Sequence, residues 1–166
     1  LSRTGLFFNL SWLLRPAGFA LAEHPLAYSP SDTYAWALFI GFLNSLKVIF
    51  GSLIFATFIG LFVGIIRTVN HSLLGFIASG YITIIRQTPL LLQLMFWYFV
   101  GFLGLKDNSF QFSNDILGIS NQGIAFLGVR FSSEFSSLLL GLSVFTGAYI
   151  AEVVRGGINS VPIGQW

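Results

Sequence analysis

Hydrophobic positions in this chain come in three long blocks separated by short polar segments. The first block, Ala35 to Ile66, contains Lys47 as its only charge. A hydrocarbon core about 30 Å thick takes roughly 20 helical residues. The best span is therefore about Leu43–Ile66, with Lys47 near one end, where its ammonium can snorkel. Gly60 and Gly64 form a small-x-x-x-small pair within it, a candidate close-packing face. A polar turn, Arg67 to Ser72, leads into the second block, Leu73 to Leu105. As one straight helix that block would be about 50 Å long, so the spacing predicts a span over 73–104 broken near 88–89, at Thr88-Pro89. The third block predicts a span over 135–154, with Gly147 and Ala151 as a second small-residue pair.

The segments between and before the blocks read differently. Residues 105–134 are polar and glycine-containing and predict an extramembrane loop with little regular structure, with room for a short hairpin over Gly123–Phe131. Residues 1–34 hold Pro16, Pro25 and Pro30, three of the chain's five prolines, which rule out one continuous spanning helix there. Trp12, Tyr28, Tyr34 and Trp36 suit a headgroup-level lead-in. The expected fold is all-α: a partial, polytopic transmembrane helix bundle over 35–166, with about three spans, behind an interfacial lead-in over 1–34.

Composition agrees. The 166 residues are 55% hydrophobic and 8% charged, with mean hydropathy +0.82. Soluble domains carry about one quarter charged residues, so this chain is too poor in charge to solvate a globule. A net charge of +2, with its basic residues scattered, excludes a nucleic-acid surface. With no cysteine there are no disulfides or thiolate metal sites. His24 and His71 lie far apart and form no H-E-x-x-H site, and neither Lys47 nor Lys106 sits in a Gly-Lys-Ser/Thr phosphate loop. No cofactor is expected. The charge rule for topology points weakly the wrong way: Arg67 and Arg155 share one side, Arg3, Arg15, Lys106 and Arg130 the other. Leu1 at the start and Trp166 after Gly164-Gln165 look like cuts in a longer protein.

Candidate chemistry sits in two places. If α-helix begins near Leu73, Arg86 lies about 20 Å along it, at mid-membrane depth, where a charge is costly and faces a cavity or a partner. Arg86, Leu90, Gln93 and Trp97 recur at i, i+4, i+7 and i+11, one helical stripe. Pro89 frees a backbone carbonyl near Ile85 or Arg86. A guanidinium can grip a carboxylate with two parallel hydrogen bonds. Two readings stand: Arg86 lines a path for a carboxylate, or it marks a helix end and snorkels while Gln93 is satisfied inside the bundle. In the third block Tyr149, Glu152 and Arg155 recur at i, i+3 and i+6. Glu152 is set either to pair with Arg155 or Arg86 at a boundary or to meet a substrate ammonium. Gly156-Gly157 and Pro162 are expected to end that helix.

The segments IIRQTPLLLQLMFWYF and GAYIAEVVRGGINSVPIGQ resemble the two signature segments of the polar amino acid ABC transporter permeases. AYSPSDTYAWALFIGFLNSLKV and SNQGI resemble its general L-amino acid branch. The resemblance implies a type I importer permease in the inner (plasma) membrane, multi-pass, not itself an enzyme. It implies a second permease subunit, a cytoplasmic ABC ATPase dimer and a periplasmic amino-acid-binding protein as partners. The 67–72 turn would be cytoplasmic and 105–134 periplasmic. The substrate path would carry Arg86, Gln93, Glu152, Trp97 and Tyr149. Arg155, Gly156, Gly157, Pro162, Gly164 and Gln165 would lead toward the ATPase-docking loop, a Glu-Ala-Ala segment that the family places shortly after Gly-Gln. The alternative is another polytopic transporter or channel with a structural intramembrane arginine.

Overall fold

The computed structural model describes residues 10–69, 72–106, 110–112 and 117–162. The expectations for Arg3, His71, Gly164 and Gln165 fall outside them. The chain divides into two compact units, Leu1–Lys47 and Val48–Trp166, and the first helix, α1 (Tyr34–Ile66), runs from one into the other.

In the first unit a single 3-10 turn, Ser11–Leu14, precedes an irregular loop. The loop folds on itself through an antiparallel bridge between Pro16 and Thr33. The Ala17 N–H donates to the Asp32 carbonyl at 2.7 Å and the Gly18 N–H to the Pro30 carbonyl at 2.8 Å. Side chains supply what a proline-rich backbone cannot. Tyr28 donates to the Phe19 carbonyl, Trp36 Nε1 to that of Ala27, and Asn44 Nδ2 to that of Glu23. The Thr33 hydroxyl accepts from the Trp36 N–H at 3.3 Å, capping α1 at its start.

In the second unit α1 packs against α4 (Ser133–Asn159) along a seam of small residues. A Cβ on Gly60 would lie 2.5 Å from the Ile150 side chain, and one on Gly64 2.8 Å from the Ala151 carbonyl. Both positions need glycine because backbone approaches backbone. Ser132 caps α4 by accepting from the Phe135 N–H at 3.2 Å, and Glu134 complements the dipole of its first turn. α4 runs through Gly156 and Gly157, so these glycines do not break it, contrary to expectation; it closes at Ser160, whose N–H bonds the Gly156 and Gly157 carbonyls, just before Pro162.

The second apolar block forms α2 (Ser72–Gln87) and α3 (Leu90–Met95), the latter continuing as a π-helical stretch, Phe96–Leu103. Ile82 of α2 buries against Ala148 and Ala151 of α4, with Val63, Tyr81 and Ile85 around them. Among the described residues, α1 and α4 are long and apolar enough to cross a membrane, and Leu73–Gln87 and Leu90–Leu103 are shorter apolar helices.

The all-α expectation needs one correction. The segment expected as a loop with room for a hairpin over Gly123–Phe131 holds that hairpin as β3 (Gly123–Phe126) and β4 (Val129–Phe131), and β1 (Phe110–Phe112) and β2 (Leu117–Ser120), which were not expected, extend it into a four-stranded antiparallel meander in the order β1-β2-β3-β4. The strands are only three or four residues long, too short to show a clear alternation beside apolar helices. The turn between β3 and β4 is tight. Leu127 and Gly128 both have positive φ, 50° and 79°, as a two-residue hairpin loop with the twist of its strands demands.

Candidate functional site

The site is built around the break between α2 and α3. Pro89 has no N–H and adopts an extended backbone, with ψ 136°, so α2 ends at Gln87 and α3 starts afresh at Leu90. The carbonyls stranded by the break are taken by side chains. Thr88 Oγ1 donates to the Ile84 carbonyl at 2.7 Å, and Gln93 Nε2 donates to those of Ile85 and Thr88 at 2.8 and 3.0 Å. The Ile85 carbonyl is therefore capped instead of open to a cavity, which corrects that expectation.

The break also undoes the single stripe. Gln93 is buried, 7% exposed, inside the junction. Trp97 lies against Gly141 of α4, where a Cβ would come within 3.2 Å of the indole. Neither lines a cleft with Arg86. The one-stripe reading assumed a continuous helix, and rotation at Pro89 turns its second half elsewhere.

Arg86 stays in the last turn of α2, where a cation complements the carbonyl end of the helix. Its guanidinium carbon lies 5.2 Å from the centre of the Tyr149 ring, within the range of a cation–π contact. One turn further along α4 is Glu152. Its two carboxylate oxygens are divided: Arg67, just past the end of α1, donates to one, and Arg155 Nε donates to the other at 3.0 Å. The partner expected for Glu152 was Arg155 or Arg86; Arg155 holds, and Arg67 is the second.

Arg67, Ile82, Thr83, Arg86, Gln87, Tyr149 and Glu152 line a cleft of about 360 Å³. Of the expected path residues, the fold brings Arg86, Tyr149 and Glu152 together there and leaves Gln93 and Trp97 out. Arg67 is the residue that sequence reasoning passed over. Its partner is 85 positions away, and no local spacing connects the two. Two guanidinium groups and one carboxylate line the cleft, and Arg86 has no carboxylate partner among the described residues. A molecule carrying a carboxylate would complete that balance.

No family model matches the chain, and no solved structure does. Known proteins do. A putative amino-acid ABC transporter permease of Escherichia coli K12 is 26% identical over 245 aligned positions, covering 99% of this chain and 62% of the relative. A general L-amino acid transport system permease of Rhizobium johnstonii is also 26% identical, covering 99% of this chain and 61% of the relative. A probable amino-acid ABC transporter permease of Bacillus subtilis is 32% identical over 122 residues, 74% of this chain and 43% of the relative. The chain thus spans about three-fifths of the length of the first two. Their alignments run over more positions than this chain's 166 residues, so these relatives carry stretches with no counterpart here. The chain is similar to amino-acid ABC transporter permeases along nearly its whole length, as its signature segments indicate.

Proposed function

We propose that this chain is part of the permease subunit of an ATP-driven amino-acid importer and that its cleft is a station on the substrate path. α1, the broken pair α2–α3 with its π-helical extension, and α4 are read as the spans of a multi-pass inner-membrane protein, with the β1–β4 meander on the periplasmic side. The partners are a second permease, homologous or identical, a cytoplasmic ABC ATPase dimer that performs the hydrolysis, and a periplasmic amino-acid-binding protein. The end of α4, Arg155 to Pro162, leads toward the ATPase.

One observation supports this reading: Arg86 lies over Tyr149 in a cleft that also holds Glu152, and that carboxylate, the one lining the cleft among the described residues, is already shared by two other arginines. Arg86 takes the α-carboxylate of a passing amino acid. Glu152, oriented by Arg67 and Arg155, keeps lone pairs free for the ammonium. Tyr149 supplies an aromatic face that holds the Arg86 guanidinium.

The test is uptake of labelled amino acid into proteoliposomes by the full-length protein in its complete transporter. Arg86→Ala is expected to cut uptake by at least tenfold, since a hydrogen bond to a charged group contributes about 1.5–3 kcal/mol. Arg86→Lys keeps the charge without the fork and should rescue only in part. Membrane level and ATPase activity are followed in parallel. Uptake that proceeds without ATP would favour a secondary transporter or channel, and normal uptake by Arg86→Ala would reduce the arginine to a helix-end anchor.

A further inference from the structure

Pro89 deletes a backbone donor, and Gln93 returns one to the same acceptor. In an unbroken helix the N–H of residue 89 would donate to the carbonyl of Ile85, four residues back, and proline has none to give. Gln93 Nε2 stands 2.8 Å from that carbonyl and 3.0 Å from that of Thr88. Both neighbours are acceptors only, so the amide nitrogen must face them and the side chain's orientation is fixed. Leu90, Leu91, Leu92, Leu94 and Met95 fill the rest of α3. Burying the Gln93 amide is costly unless it is bonded; the two carbonyls satisfy its nitrogen, while its Oε1 is buried with no partner among the described residues.

We propose that Gln93 is a positioning residue whose side-chain amide substitutes for the N–H missing at Pro89 and thereby fixes the last turn of α2, with Arg86, against α3. Arg86 directly follows Ile85, whose carbonyl Gln93 holds. A slack Ile85 carbonyl would let the turn fray and swing the guanidinium off the Tyr149 ring. The transport readout of this proposal rests on the reading of Arg86 as a carboxylate contact; the donor substitution does not.

The test is a double-mutant cycle in the full-length protein, assembled in its transporter and held in lipid nanodiscs or proteoliposomes. Gln93→Met keeps length and apolar character and removes the donors. It is expected to raise the KM for the amino acid by about threefold to tenfold, the loss of one or two hydrogen bonds, with little change in kcat, and to lower the thermal unfolding midpoint. Pro89→Ala restores a backbone N–H at the site. In the Pro89→Ala/Gln93→Met double variant both KM and midpoint should return most of the way, because the chain again supplies its own donor. A cycle additive in both readouts, with Gln93→Met equally harmful whether residue 89 is proline or alanine, overturns the proposal. Should Arg86→Ala leave KM unchanged while the midpoints remain coupled, the carboxylate reading falls alone and the donor substitution stands.

Discussion

The seam between α1 and α4 and the junction between α2 and α3 meet the same apolar surroundings with opposite means. At the seam the contact is mainly close packing: Gly60 and Gly64 bring the α1 backbone onto Gly147, Ile150 and Ala151 of α4, beside one long hydrogen bond from the buried Ser143 hydroxyl to the Ser52 carbonyl at 3.5 Å. Dispersion between closely approaching backbones stabilises it, as lipid-embedded helices require where burial from water contributes little. At the junction the backbone is interrupted, and every stranded carbonyl needs a side-chain donor. Among the described residues the first arrangement leaves no charged group at the contact. The second exposes a helix end, and the free cation Arg86 stands on that end. A close-packed seam on one side of α4 lets the other side hold an irregular, charged cleft.

Three substitutions probe that contrast, in falling order of effect. Gly64→Leu should be the most damaging. Even its Cβ would meet the Ala151 carbonyl at 2.8 Å and the Val154 side chain at 2.7 Å. Overpacking costs about 1–3 kcal/mol or more, so folded protein in detergent should fall sharply by fluorescence-detected size exclusion. Gly75→Ala, with nothing within 4 Å of its added Cβ, should leave yield unchanged; equal loss in both would mean that the seam is not close-packed.

Glu152→Gln should come next. It removes the charge that Arg67 and Arg155 share and leaves three guanidinium groups near one cleft. The pair is partly exposed, with side chains 22% and 23% accessible, so its loss should cost about 1–2 kcal/mol, between surface and buried values. Thermal unfolding in nanodiscs would measure it. A double variant with Arg67→Met should recover part of the loss; no recovery would mean the two residues are not coupled.

The smallest effect is expected for Tyr81→Phe. Its hydroxyl donates to the Val144 carbonyl at 2.6 Å, tying α2 to α4 beside the cleft. One neutral hydrogen bond contributes about 1 kcal/mol, and the same melt should show a correspondingly small drop in midpoint with uptake retained. A large loss of uptake at full stability would make Tyr81 part of the path instead of its frame.

What the sequence could and could not disclose follows from range. Block length, low charge and small-residue spacing are local features, and they suffice for long apolar helices and for the candidate seam at Gly60, Gly64, Gly147 and Ala151. Pro89 is equally local: its missing N–H needs no tertiary knowledge. Of the two readings of Gln93, the one that satisfies it inside the bundle holds, while the stripe drawn at 3.6 residues per turn held only if the helix were continuous. The Arg67–Glu152 pair joins α1 to α4 across 85 positions, and nothing in a single sequence links such residues. Of the meander only the β3–β4 hairpin over Gly123–Phe131 was legible; β1 and β2 escaped because strands of three or four residues leave too few positions for a period-two signal.

The central claim is that Arg86 recognises a carboxylate, and discrimination between an amino acid and its uncharged-carboxamide analogue tests it most directly. In the full-length transporter, inhibition of labelled amino-acid uptake by the free acid and by the amide should differ by at least tenfold in favour of the acid, the contrast of a charge-assisted fork with a neutral contact. The account predicts that Arg86→Ala collapses that preference while leaving protein level and ATPase activity intact. A preference that survives undiminished in Arg86→Ala would contradict it.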